Sequence, residues 1–325
     1  MPTLLLSETD VQQLLDMPLA VEAVEEGLRG MAEGTCVLHG RRRFSLPGGA
    51  FLHYMAAADL GNGVAGLKVY TFAGGRLRFL VLLYGTETGE LLALVEAGFL
   101  SAVRTGAASG VATRYMARPD ARTVGLIGTG KMAPAQLEAI VAVRPIEQVR
   151  VYSRREERRR QFAETMTARL GVPVRAVSSA EEAVRGADIV VTATTAAQPV
   201  VEGRWLAPGT HINAIGSNFA HRREVDAETV LRAGVIATDS IEQARYEAGD
   251  LIQVFAGDPE GWARVVELSQ IVAGLIPGRR SREEWTLFKS NGIAIEDVAV
   301  AARVYARARE QGRGTALNLW VADGA

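Results

Sequence analysis

Between Thr123 and Thr238 the chain keeps switching between short apolar runs and amphipathic stretches, and few folds accept that alternation. The runs Thr123–Ile127, Val149–Tyr152, Val174–Val177, Ile189–Ala193, His211–Ile215 and Val235–Thr238 are strand-sized, and stretches such as Glu156–Leu170 and Ala180–Arg185 lie between them. Strands that recur with a helix in between are joined by crossovers rather than hairpins, which predicts a doubly wound parallel sheet. The first turn of this segment reads Gly128-Thr129-Gly130-Lys131-Met132-Ala133, straight after a predicted strand and opening a helix. That is the G-x-G-x-x-A phosphate loop of a Rossmann domain. Gly128 allows the tight turn, Gly130 leaves room for a pyrophosphate, and Ala133 lets helix and strand pack closely. The helix aims free N–H groups and the positive end of its dipole at the phosphates. On this reading Gly128, Thr129, Gly130, Lys131 and Met132 touch the dinucleotide. A glycine-rich turn without a ligand is the plainer alternative, and the strand-turn-helix context weighs against it.

The second strand ends in Tyr152-Ser153-Arg154-Arg155. An NAD site usually places a carboxylate for the ribose hydroxyls about 20–25 residues beyond the first glycine. Here Ser153 and Arg154 stand in that place, with Arg158 close behind. A hydroxyl and guanidinium groups suit a 2′-phosphate, which a carboxylate would repel. The expectation is NADP(H) in preference to NAD(H), with NAD(H) possible. Arg159 and Arg160 read as the solvated face of a helix.

Before Pro119 the pattern is different. Ser7–Met17 reads as a short capped helix and Leu19–Glu33 as an amphipathic one. From Val37 to Val95, short strands are broken by Pro47-Gly48-Gly49, Gly61-Asn62-Gly63, Gly74-Gly75 and Thr88-Gly89, which predicts an antiparallel sheet. Phe99–Met116 is an alanine-rich helix, and a last long helix spans about Ile293–Arg309. The fold class is therefore α/β: a Rossmann sheet plus a smaller α+β domain. The expected domains are 119–291 for the dinucleotide and 1–118 with 292–325 for substrate binding and dimerisation. A formal net charge of −1 gives no pull towards nucleic acid or a membrane surface. Cys36 is the lone cysteine, so an internal disulfide and a cysteine-based zinc site are both excluded. The N-terminus lacks a basic stretch and does not read as a signal peptide, and no apolar run approaches a membrane span. Cytoplasmic is the expected location.

Several further segments carry a resemblance. They are Arg43 ahead of Phe51-Leu52-His53-Tyr54-Met55-Ala56-Ala57, Gly66-Leu67-Lys68-Val69, and Thr86-Glu87-Thr88-Gly89-Glu90. They continue with Ser101 to Ser109, Asn213-Ala214-Ile215-Gly216-Ser217-Asn218 and Phe288-Lys289-Ser290. With the phosphate loop, these in order resemble the ornithine cyclodeaminase/mu-crystallin family over nearly the whole chain. The resemblance implies a homodimer and a hydride exchange at a carbon bearing nitrogen and a carboxylate. It implies that Arg43, Lys68 and Arg104 hold the carboxylate, that Lys68 is catalytic, and that His53, Met55 and Asn218 line the substrate site. It further implies cofactor contacts from Thr105, Thr192, Ala193, Thr194, Gly216, Ser217, Lys289 and Ser290.

Physical chemistry supports parts of this. Guanidinium forks suit a carboxylate. A lysine in an apolar strand near other cations is pushed towards its neutral form, which makes proton transfer near neutrality feasible. Each residue also has a plainer reading. A run of arginines is usually a solvated face, Lys68 could reach solvent, His53 could be a core histidine, and Thr192 and Thr194 could be caps. Where this chain has Asn218 and His53, ornithine cyclodeaminases have acids, so a diamine's ammonium would go uncompensated here. His39, His211 and His221 have no metal-ligand spacing, and no metal is expected. The resulting expectation is an NADPH-dependent reductase of small cyclic α-imino acids, of the pyrroline-2-carboxylate or piperideine-2-carboxylate type. The alternatives are an alanine-type dehydrogenase, an ornithine cyclodeaminase, or a non-catalytic NADP(H)-dependent binding protein.

Overall fold

The computed structural model describes residues 2–319. β1 (Thr3–Leu6), α1 (Glu8–Leu14) and α2 (Met17–Ala32) lead into β2 (Cys36–Ser45), β3 (Phe51–Asp59), β4 (Val64–Ala73), β5 (Arg76–Gly85) and β6 (Leu91–Glu96). After α3 (Gly98–Met116) strands and helices alternate: β7 (Thr123–Ile127), α4 (Ala133–Val143), β8 (Gln148–Tyr152), α5 (Glu156–Leu170), β9 (Val174–Ala176), α6 (Ala180–Val184), β10 (Ile189–Thr192) and β11 (His211–Ala214). Next come α7 (Ala227–Arg232), β12 (Ala233–Thr238), α8 (Ile241–Glu247), α9 (Gly249–Ile252), α10 (Pro259–Ala263), β13 (Val265–Glu267), α11 (Leu268–Val272) and β14 (Trp285–Lys289). α12 (Ala294–Glu310) and β15 (Thr315–Leu317) follow. Among the described residues no helix is long and apolar enough to cross a membrane.

The chain falls into two units. One takes the described residues up to Arg104 with those from Ile293 onward; the other is Thr105–Gly292. The first division therefore lies inside α3, ahead of the expected position at Pro119, because a helix reads the same on both sides of such a division.

The first unit holds a seven-stranded sheet in the order β15-β1-β6-β5-β4-β3-β2, antiparallel except for the β1–β6 pair. Ser7 and Asp10 form a reciprocal cap on α1, and Asp16 caps α2 by accepting from the Leu19 N–H at 2.9 Å. α12 lies against α2 and across β2–β5. Alternation along β4 puts Gly66, Lys68 and Tyr70 on the face beneath α12, with Leu67 and Val69 on the other face. A Cβ at Gly66 would stand 2.7 Å from Val298 Cγ2, so glycine is what lets α12 sit this close to the sheet.

The second unit holds eight parallel strands in the order β13-β12-β14-β11-β10-β7-β8-β9. Apolar clusters cover both faces: Val124, Leu126, Leu137 and Ile140 on one, Ile127, Val190, Ile212 and Leu287 on the other. The Rossmann sheet and the α+β unit match the fold class read from sequence. β8 and β9 run to one side of β7 and β10 to the other, so the order reverses at β7, beside the glycine loop. In open α/β sheets, ligands bind at such reversals, beyond the carboxyl ends of the strands.

Candidate active site

Lys68 is among the largest fully buried side chains of the described residues, at 1% exposure. Its ammonium donates to Asp297 Oδ1 at 2.5 Å and lies 5.3 Å from the centre of the Phe79 ring. The same Asp297 oxygen accepts from Arg104 Nε at 3.1 Å, and Arg104 Nη1 donates to Glu296 Oε2 at 2.5 Å. Two cations and two carboxylates, all buried, thus meet under the first turn of α12. Burial, helped by the charges of Arg104 and Arg41 and opposed by Asp297, pushes Lys68 down to about 7. A lysine held there exchanges its proton near neutrality, beside a guanidinium suited to a carboxylate.

His53 lies on the same face of the sheet, one strand away and opposite Tyr70. Its Nδ1 is 2.7 Å from the Tyr70 hydroxyl, and its ring stacks on Phe51 at 4.2 Å. Burial, with the charges of Arg43 and Arg41, brings His53 down to about 4, so it is neutral at physiological pH. Met55 is buried two residues on. Arg43 pairs with His53 in the ladder but is itself exposed. Arg41, which the sequence reading did not single out, is an arginine of β2 whose charge acts on Lys68. The cause is a bulge: pairing slips between His39 and Arg42, which re-aims Arg41 so that its Nη2 reaches Met55 Sδ at 3.8 Å. No residue pattern announces that slip. Tyr70, Glu296 and Asp297 were also missed, although two adjacent acids inside the apolar run Ile293–Val300 are a readable signal for buried, paired carboxylates.

In the second unit the glycine loop has the geometry its sequence suggests. Gly128 sits at φ +106°, and a Cβ there would lie 2.4 Å from the Ala193 carbonyl oxygen. At Gly130 a Cβ would meet no protein atom closer than 4.0 Å, and the residue is exposed, so a pyrophosphate could approach its backbone. Thr129 donates to the Ser153 hydroxyl at 3.0 Å, which ties the loop to the ribose position. Lys131, Arg154 and Arg158 are exposed there, and Met132 is partly so. Ala133 is fully buried at the start of the eleven-residue α4. These residues fit a dinucleotide. Thr105 is partly exposed on α3, its carbonyl accepting from Gln136 Nε2 at 3.1 Å.

Four expected cofactor residues, Lys289, Ser290, Thr192 and Ser217, are buried. Lys289 is fully buried, its ammonium 3.0 Å from Asp250 and donating to the Ser217 carbonyl at 2.7 Å; a buried charge must be paired, and this one is paired within the protein. Ser290 is buried, and its hydroxyl donates to Asp239 at 3.1 Å. Thr192 is fully buried at the end of β10. Gly216 has an internal reason to be glycine: a Cβ would stand 2.2 Å from the Thr194 carbonyl oxygen. Ala193, Thr194 and Asn218 remain partly exposed beside these, while Ser217 is buried. Lys289 lies on β14, the strand between β11 and β12 that the alternation did not reveal. His211 is a core residue, bonded to Thr286 and Asn213 and lowered to about 3 by burial.

The chain matches the model of the ornithine cyclodeaminase/mu-crystallin family over residues 1–312. It is 42% identical over 236 residues, 72% of each chain, to the Δ1-pyrroline-2-carboxylate reductase of Bacillus cereus strain ZK / E33L. The structure is similar to that of the Δ1-pyrroline-2-carboxylate reductase of Thermococcus litoralis solved with NADH and L-proline. That likeness has a TM-score of 0.92 and 38% identity, over 97% of this chain and 100% of that one. An archaeal alanine dehydrogenase, solved as a dimer with bound NAD, gives a TM-score of 0.92 and 35% identity, over 98% and 100% of the two chains. A buried lysine shared between acids and an arginine, a glycine loop that fits a dinucleotide and these likenesses converge: the protein belongs to the ornithine cyclodeaminase/mu-crystallin family.

Proposed function

We propose that the protein is an NADPH-preferring reductase of small cyclic α-imino acids of the pyrroline-2-carboxylate or piperideine-2-carboxylate type. More broadly, the chain is a nicotinamide-dependent oxidoreductase acting on the carbon–nitrogen centre of amino or imino acids. The observation that carries the finer reading is Lys68, buried and held at about 7 between Arg104 and Asp297. It stands in a chain similar to an enzyme solved with NADH and L-proline, the product of reducing the five-membered imine.

In this reading Arg104 and Arg43, with Arg41, hold the substrate carboxylate, and Lys68 donates its proton to the ring nitrogen. Asn218 and neutral His53 supply hydrogen bonds without charge, which suits an imine better than an ammonium. Bound at Gly128–Met132, Thr105 and the β10 and β11 loops, the nicotinamide cofactor supplies hydride. Ser153, Arg154 and Arg158 support NADPH over NADH by replacing the carboxylate that would repel a 2′-phosphate. Partial exposure of Leu67, Val69, Leu80 and Leu82 on the sheet face opposite Lys68, with the dimeric state of the archaeal relative, supports a homodimer.

Similarity along 98% of the chain to alanine dehydrogenase favours a second reading, an alanine-type dehydrogenase. One assay separates them. Purified protein should oxidise NADPH with either cyclic imine and release no ammonia. Ammonia from alanine with NAD⁺, and no turnover of the imines, would overturn the reductase reading.

A further inference from the structure

The carboxyl ends of β10 and β11 are tied together by a single buried carboxylate. Glu224 is fully buried, and its Oε1 accepts from the Thr194 backbone N–H and hydroxyl, both at 2.7 Å. Its Oε2 accepts from the Gly216 N–H at 2.6 Å. The Thr194 hydroxyl in turn accepts from the Ala196 N–H at 3.1 Å, which leaves its own proton for Glu224. Glu224 is fixed as well as fixing. Its N–H and that of Val225 donate to Asp250 Oδ1 at 2.6 and 3.0 Å, and Asp250 faces the Lys289 ammonium. Lys289 closes the circuit on the Ser217 carbonyl. Each of the two loops is therefore gripped by its backbone.

Two carboxylates buried around one ammonium are an expensive way to close loops, and burial together with Asp250 pushes the Glu224 carboxyl upward. An apolar plug would hold the chain together at less cost but would leave the peptide groups free to turn. Charge placed on backbone donors fixes their direction. The sheet order says what lies above these loops. A dinucleotide placed across the reversal at β7 has its adenosine half over the glycine loop and Ser153, so its other half lies over β10 and β11.

We propose that Glu224 is the positioning residue for the nicotinamide half of the dinucleotide, holding the loops after β10 and β11 in the shape that receives it. This rests on the dinucleotide reading above. Glu224→Gln is a sharp probe, because each carboxylate oxygen accepts from a backbone N–H and the amide's NH₂ must face one of those two donors. Binding of NADPH and of 2′,5′-ADP, which carries only the adenosine half, is to be measured by calorimetry on the full-length protein, with steady-state kinetics alongside. The variant should bind NADPH at least tenfold more weakly and bind 2′,5′-ADP within twofold of the parent. Its KM for NADPH should rise more than its kcat falls. Equal weakening of both ligands, as general damage would give, overturns the proposal, and so does no change in either. Thr194→Val removes one donor without burying a new one and covers the case in which the glutamine variant does not fold. It should show the same selectivity at about threefold, and its absence counts against the proposal. If the parent binds neither ligand, the dinucleotide reading fails first and this proposal with it.

Discussion

Lys68 holds its proton under opposed influences, and the balance sets a measurable pH. Burial and two arginines disfavour the ammonium, Asp297 favours it, and the outcome is about 7. In imine reduction the ammonium is the required form, so kcat/KM should fall about tenfold per pH unit above 7. In the reverse oxidation the neutral amine is required, and the fall should lie below 7. Both profiles come from initial rates across pH 5.5–9, a range set around that value; two limbs at unrelated pH would remove Lys68 from the chemistry. Lys68→Met should lower kcat by roughly 10²–10⁴-fold, the usual span for a lost general acid, with dinucleotide affinity unchanged by fluorescence titration. Arg154 tests cofactor choice at the same scale. An exposed guanidinium against a 2′-phosphate contributes roughly 1.5–3 kcal/mol, so Arg154→Ala should raise the KM for NADPH about tenfold or more and leave that for NADH alone. Equal effects on both cofactors would make Arg154 an ordinary solvated residue.

α12 and β4 show how a single glycine can position a candidate active site. Gly66 admits the helix, and the helix then brings Asp297 to Lys68 two residues along the strand. Gly66→Ala should overpack this contact by about 1–3 kcal/mol and move the carboxylate away from the ammonium. Thermal unfolding should register the first effect and a lower pH for the kcat/KM limb the second. A lower melting temperature with an unmoved limb would show that the two elements are not so coupled. At this scale the sequence was partly legible. The glycine loop, the alternation from Thr123 to Thr238 and the long helices follow from periodicity and punctuation, which are local. β14 escaped because Trp285–Lys289 is a short apolar run enclosed by parallel neighbours and carries no turn signal of its own. Arg41 escaped because a bulge depends on the partner strand. Glu224 and Asp250 escaped because nothing in their neighbourhoods reveals that a charge will be buried; only the returning chain does that. Lys289 was found through the resemblance, but its direction was not, since a matched position does not say which way a side chain faces.

At the level of the whole molecule, the sheet of the first unit buries Lys68 on one face and on the other offers Leu67, Val69, Leu80 and Leu82, with Arg76 and Arg78 farther along that face of β5. If that second face joins two copies, Leu82→Asp should halve the mass seen by light scattering, because a carboxylate there would be buried without a partner. An unchanged mass would send the interface elsewhere. The pairing of Lys68 with Asp297 spans 229 positions, and that distance has a temporal meaning. As the protein leaves the ribosome, the strand bearing the lysine emerges well before the carboxylate that steadies it. Until the helix docks, that face of the sheet is uncovered and water solvates the ammonium. The buried charge cluster is thus a late event in biosynthesis: a solvated cation on an open sheet becomes a paired one only when the helix docks.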